Sequence, residues 1–422
     1  MPYPSSAFYY NLNKTAPPEQ KTAQKTTTEQ KTTEKKAATP RKTTENAAEQ
    51  SFADLVCSVV RVPNPQHNVG GEPGESELAR FICNWLDKRA IPHTCDMSWG
   101  VHACLTGSEG TGAPGVVLVA HLDSDHLHLP DVKGVRVDEK NSRLITKGQV
   151  GLDCKTGVAI ALSVLERLLQ NPAGAWNVHC LFTVGEESGQ KGAIRAPIGT
   201  LLGGKVRYGI VIDRMTSGSN CPTDENFQPT RHLVTSYKGV PLLEGTHGSG
   251  NELIKQLSKA AGLSKMLPTI ESPNCADAIE LRGRWDAEIV APALLKGLDG
   301  SKSLVGEEAK AVEELKAAVK QYVDTTSDLL KRMTKCKPDE RVSSMNSHPR
   351  YTRYTAMRRV YEAIGHGGDS LSKALPYDPK LAFSCVNLSY DYDDAWDVCD
   401  LEELERTARI VLGACVGLRG GA

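Results

Sequence analysis

The chain has 422 residues, 40% hydrophobic and 24% charged, enough apolar material for a sizeable core in one or two domains. Its formal net charge of -1 gives no basis for binding nucleic acid or an anionic membrane through bulk charge, and its longest apolar runs, such as Gly115 to Ala120, fall well short of the roughly 20 residues a membrane-spanning helix needs. Twelve cysteines are scattered along the sequence without a C-x-x-C pair, which favours reduced thiols in a cytoplasmic-type compartment over a disulfide framework or a thiolate zinc site.

Residues 1–50 read as a low-complexity tail. From about Asn13 they are built almost entirely of Lys, Thr, Glu, Gln, Ala and Pro, too little apolar surface to offset chain entropy, so disorder is expected. A tether is the functional alternative for this tail, with Phe8, Tyr9 and Tyr10 as its anchor. From Ser51 onward helical and strand-like segments alternate, the pattern of an α/β fold: a three-layer domain with a mixed, mostly parallel central sheet. Leu78, Phe81, Ile82, Trp85 and Leu86 recur at helical spacing, predicting an amphipathic helix over Glu75 to Lys88. Short apolar runs predict buried strands at Val116 to Ala120, Val178 to Val184, Tyr208 to Ile212 and Leu381 to Leu388. A helix is expected from Val158 to Leu169. The α/β domain is expected to occupy 51–281 and 377–422, interrupted by a helical insertion at 282–376 that contains helices over Glu307 to Met333 and Tyr351 to Ile364.

Polar clusters follow four of these segments. His121 and Asp123 stand in H-L-D just after the first strand, so an extended backbone lets both face one cavity. In a metal site His121 would ligate through one ring nitrogen while Asp123 orients the other, although a lone His is more often a satisfied core or surface residue. Asp153, in G-L-D-C-K-T-G, either caps the following helix or bridges two cations. Glu186 and Glu187 end the next strand; adjacent like charges in a cleft are unfavourable without a cation, and a surface turn is the plainer explanation. In the chemical reading Glu187 ligates and Glu186 moves protons. Asp213, after the strand ending at Ile212, offers another oxygen ligand or an ion pair with Arg214.

In this order and at these separations, H121-L-D123, G151-L-D153-C-K-T-G157, G185-E186-E187-S-G and I212-D213-R resemble the co-catalytic zinc peptidases and deacylases, a group that includes leucyl and glutamyl aminopeptidases, peptidase T and acetylornithine deacetylase. The resemblance implies His121 and Asp213 on one zinc, Asp153 bridging, Glu187 on a second zinc, Glu186 as general base and Asp123 as orienter of His121. Val234 to Pro241, a turn carrying Asp277, and Cys385 to Leu404 resemble further stretches of the same group. Two departures stand out. Trp396 occupies the position of the group's late histidine ligand, and Cys154 replaces a usual second Asp. Asp393, Asp394, Asp397, His348 or His366 are the candidate substitutes for that ligand.

The expected function is metal-dependent hydrolysis of a peptide or N-acyl amide bond, most simply aminopeptidase action on a small peptide, with one or two zinc ions. The competing expectation is a catalytically inactive relative with a structural or interaction role. A homodimer or larger assembly is compatible with either, and no nucleic-acid or membrane partner is expected.

Overall fold

The computed structural model describes residues 50–65, 72–124, 132–140, 142–146, 150–170, 174–203, 205–213, 240–241, 249–262, 280–281, 284–300, 307–335, 384–388 and 399–420. The expectations for the N-terminal tail, Asp277, His348, the Tyr351 to Ile364 helix, His366, Asp393, Asp394, Trp396 and Asp397 lie outside the described residues.

The sequence G-V-V-L-V-A-H has almost no polar side chain before its last residue, and a strand of that composition is stable only if both faces are covered. Gly115–His121 forms such a strand, β3, buried along its whole length. Counted along the chain, it is preceded by β1 (His93–Asp96) and β2 (Gly100–Leu105), and followed by β4 (Arg136–Asp138), β5 (Arg143–Ile145), β6 (Asn177–Thr183), β7 (Val206–Ile212), β8 (Val240–Pro241), β9 (Ser384–Leu388) and β10 (Cys399–Asp400). Seven strands form one sheet in the order β1-β2-β6-β3-β7-β9-β8. The central neighbours β6-β3, β3-β7 and β7-β9 are parallel. The edge pairs β1-β2, β2-β6 and β9-β8 are antiparallel. The sheet is therefore mixed, with its parallel part in the middle; β4, β5 and β10 make a small separate sheet.

Because side chains alternate across a strand, β3 feeds two cores. Val116, Leu118 and Ala120 join the apolar layer with residues of α1 (Phe52–Val60), α2 (Ser76–Lys88), α3 (Leu152–Gln170) and α6 (Ser249–Ala260). Val117 and Val119 join the opposite layer, with Trp285, Leu294, Val312, Val319 and Tyr322. That second layer is supplied by α4 (Lys191–Arg195), α5 (Ile198–Leu201), a π-helical turn at Asp286–Val290, α7 (Ala291–Gly300) and the long α8 (Glu307–Lys335). The C-terminal helix α9 (Leu401–Gly420) returns to the first layer through Leu404, Ala408, Val411 and Ala414. Helix, sheet and helix thus form three layers.

Two early elements were not foreseen. α1 reads F-A-D-L-V-C-S-V-V, rich in β-branched residues that resist helix formation. Its amphipathic burial and a capping bond, from the Asp54 backbone N–H to Ser51 Oγ at 3.1 Å, stabilise it nonetheless. The hairpin of β1 and β2 carries H-T-C-D and G-V-H-A-C-L, whose mixed polarity hides the strand period. No helix among the described residues is long and apolar enough to cross a membrane.

Candidate metal centre

Three adjacent parallel strands deliver the polar cluster to one rim of the sheet, at their carboxyl ends, where open α/β sheets assemble their sites. The register pairs His121 with Thr183 and Val119 with Val211. Two residues beyond the latter pair, His121 and Asp213 stand at corresponding positions. α3 begins at the same rim with Asp153, whose φ/ψ of -84°/115° is non-helical, so the regular helix starts after Cys154. Its close seating against β7 depends on Gly157, where a Cβ would collide with the Ile212 carbonyl.

The His121 ring is 2% exposed and engaged on both nitrogens. Nδ1 lies 3.1 Å from the Asp123 carbonyl and 3.3 Å from Asp123 Oδ1. Nε2 lies 3.2 Å from Asp153 Oδ1 and 3.4 Å from Asp213 Oδ1. Burial disfavours charge on this imidazole, but Cys154 and the hydrogen bonds to Asp123, Asp153 and Asp213 outweigh it and hold the ring's pKa well above its ordinary value. Cys154 is fully buried, its Sγ donating to the Ile212 carbonyl at 2.9 Å, and burial pushes its thiol far up, so it stays protonated.

The second half of the cluster is the turn after β6. Gly185 adopts φ +62°, a left-handed conformation that glycine enters without penalty. The next two N–H groups point at Asp123: Glu186 N donates to Oδ1 at 2.8 Å and Glu187 N to Oδ2 at 2.9 Å. Gln190 Nε2 holds Glu186 Oε1 at 2.8 Å. One carboxylate, Asp123, therefore touches both the imidazole and the turn bearing the paired glutamates.

Potential ligand atoms of His121, Asp153, Cys154 and Asp213 lie within 4.8 Å of one another, and so do those of His121, Glu186 and Glu187. An imidazole and hard oxygen donors inside one coordination sphere suit a divalent cation such as zinc. Two carboxylates converging on a single imidazole nitrogen also concentrate negative charge at a nearly dry point, which a cation relieves. The donor set fits a metal. Sequence reasoning missed two residues here. Gln190 was silent because amides are common on helices. Glu75, just ahead of α2, is hydrogen-bonded to the Gly185 backbone and faces Asp123 and Lys191; burial, with Asp123 adding, raises its carboxyl to about 7. Its only sequence signal was G-E-S-E at a helix start, an arrangement that capping explains equally well.

No protein-family model matches the chain, and no curated protein does either. Solved structures similar to it are peptidases. Aminopeptidase PepT from Bacillus cereus is 14% identical, covers 87% of this chain and 98% of its own, and has a TM-score of 0.40. An aminopeptidase from the archaeon Desulfurococcus kamchatkensis is 12% identical over 86% of this chain and 94% of its own, with a TM-score of 0.44. A di-peptidase from Saccharomyces cerevisiae is 11% identical over 88% and 96%, with a TM-score of 0.43.

Proposed function

We propose that this chain is a metal-dependent hydrolase of peptide or N-acyl amide bonds, most simply an aminopeptidase acting on small peptides. The observation that carries this reading is the approach of Asp153 and Asp213 to the His121 Nε2 atom, with Asp123 linking that imidazole to the Glu186–Glu187 turn. His121, Asp153 and Asp213 would hold one divalent cation, and Glu187, with Asp153 shared, would serve a second. When bound, the cation supplies Lewis acidity toward the scissile carbonyl and a water molecule.

The remaining work belongs to the protein. Glu186 takes a proton from the attacking water on its carboxylate and returns it to the nitrogen of the leaving amine. Gln190 restrains the rotamer from which it does so. Asp123 fixes the His121 ring from its Nδ1 side and anchors the Glu186 backbone, so that ligand and base keep a constant separation.

Elemental analysis of purified protein, together with hydrolysis of a panel of aminoacyl amides by wild type and Glu186→Gln, tests the reading. Wild type should retain divalent metal and turn over at least one substrate. The variant should keep the metal while losing roughly 10²- to 10⁴-fold in kcat, the usual contribution of a positioned acid–base group. Metal-free protein with no turnover in either form would replace the hydrolase by a non-catalytic scaffold. The metal found also decides between zinc and a harder cation.

A further inference from the structure

The turn that presents Glu186 has a grip on its other side. Asp123 accepts the N–H groups of Glu186 and Glu187 at 2.8 and 2.9 Å. The residue before them, Gly185, is hydrogen-bonded through its backbone to the Glu75 carboxyl, which arrives from a separate helical segment. Three consecutive residues of one tight turn are thus held by two carboxyl groups from two distant places in the chain. Beneath the turn lies Lys191, 2% exposed, which donates its backbone N–H to the Gly185 carbonyl at 2.9 Å. Its side chain packs where a Cβ on Gly185 would stand, 3.2 Å from its own Cβ.

We propose that Glu75 is a positioning residue for the hydrolysis described above: together with Asp123 it clamps the Gly185–Glu187 turn, and its protonation state sets how firmly the Glu186 carboxylate is held in place. The inference rests on the assignment of Glu186 as the base. It stands on the geometry of the clamp, and electrostatics indicates when the clamp changes. Among the described residues, the charged groups facing Glu75 are Asp123, from the loop after β3, and Lys191, from α4. Burial and Asp123 favour the protonated acid; the Gly185 and Glu75 backbone hydrogen bonds and Lys191 favour the carboxylate, and the balance falls at about 7. Near neutrality the clamp passes from a neutral acid that binds the N–H weakly to a carboxylate that binds it through a charge-assisted bond.

Two measurements on the full-length protein test this. The first is the amide resonance of Gly185 followed against pH in wild type and in Glu75→Gln. Wild type should show a titration centred near 7 that the variant lacks. The reading is independent of turnover, and the wild-type curve stands even if the variant folds poorly. A flat wild-type Gly185 amide between pH 5 and 9 overturns the proposal. The second is the pH profile of amide hydrolysis. Glu75→Gln should lose on the order of ten- to a hundredfold in kcat with KM nearly unchanged, and the inflection near 7 should vanish from its profile. A variant with lowered stability but an unaltered profile also overturns the proposal, because a purely structural Glu75 predicts that outcome. If wild type hydrolyses nothing, the hydrolase reading fails, while the Gly185 amide still decides whether Glu75 clamps the turn.

Discussion

Asp123 is bound on three sides, and this explains why an H-x-D spacing has consequences beyond the imidazole. Its oxygens accept two backbone N–H groups and stand 3.3 Å from His121 Nδ1. Asp123→Asn keeps the size but turns one acceptor into a donor, which leaves a buried N–H facing an NH₂ group. We expect a stability loss of about 1–3 kcal/mol from that unmet donor, read from denaturant unfolding. Metal affinity should fall by roughly 10- to 100-fold, the usual effect of removing a group that orients a ligand, read by competition with a chelator. Unchanged metal affinity would disconnect Asp123 from His121. The closeness of His121 to Asp123 was legible because two residues on one extended strand end cannot separate far. The grip of Asp123 on the next turn, and that of Glu75 beside it, was not. Both depend on how β3, β6 and α2 pack, and no local pattern encodes a contact between residues so far apart in the chain.

Among the elements, β2 and β6 carry a feature that composition concealed. His102 on β2 and His179 on β6 are buried, their rings stacked with centroids 5.3 Å apart and Nε2 of the first 3.0 Å from Nδ1 of the second. Burial lowers the pKa of His102 from 6.5 to about 4. Burial first, and then His102, lowers that of His179 to about 3. Both rings are neutral in the fold, whereas the unfolded chain takes up protons on them below 6.5. Their contribution is therefore intact above pH 6.5 and lost as pH falls toward 4, each tenfold difference in proton affinity amounting to about 1.4 kcal/mol. The melting temperature of wild type should drop over this window more steeply than that of His179→Gln. Parallel slopes would show that the pair does not govern acid stability. The central strands were legible because burial on both faces makes them continuously apolar. β1 and β2 were not, since imidazoles and thiols that pack as core residues are written in polar letters.

At the scale of the whole molecule, the sheet shows a division in chain order. β1, β2, β3, β6 and β7, with α3, supply every residue of the candidate centre before position 214. The strand that pairs with β7 on its outer side, β9, comes only at Ser384–Leu388, after α6, α7 and α8. A fold class with parallel neighbours could be read from the alternation of helices and strands, but the sheet order could not, because pairing across so long a connection leaves no trace in local periodicity. The end of the chain closes the structure from the other side: Arg419 on α9 donates from Nε to the Trp176 carbonyl at 3.0 Å and from a terminal nitrogen to Gly174 at 3.1 Å, just ahead of β6.

That late partner leaves β7 with a bare flank while a new polypeptide is still emerging. Until Ser384–Leu388 docks, a row of amide and carbonyl groups on Val206–Ile212 lies open to any other extended segment, beside a half-built cation cradle. Pulse-labelled exchange during renaturation should shield the amides of β3 and β6 first and those of β9 last. Simultaneous shielding would mean that the long excursion between these neighbours imposes no delay.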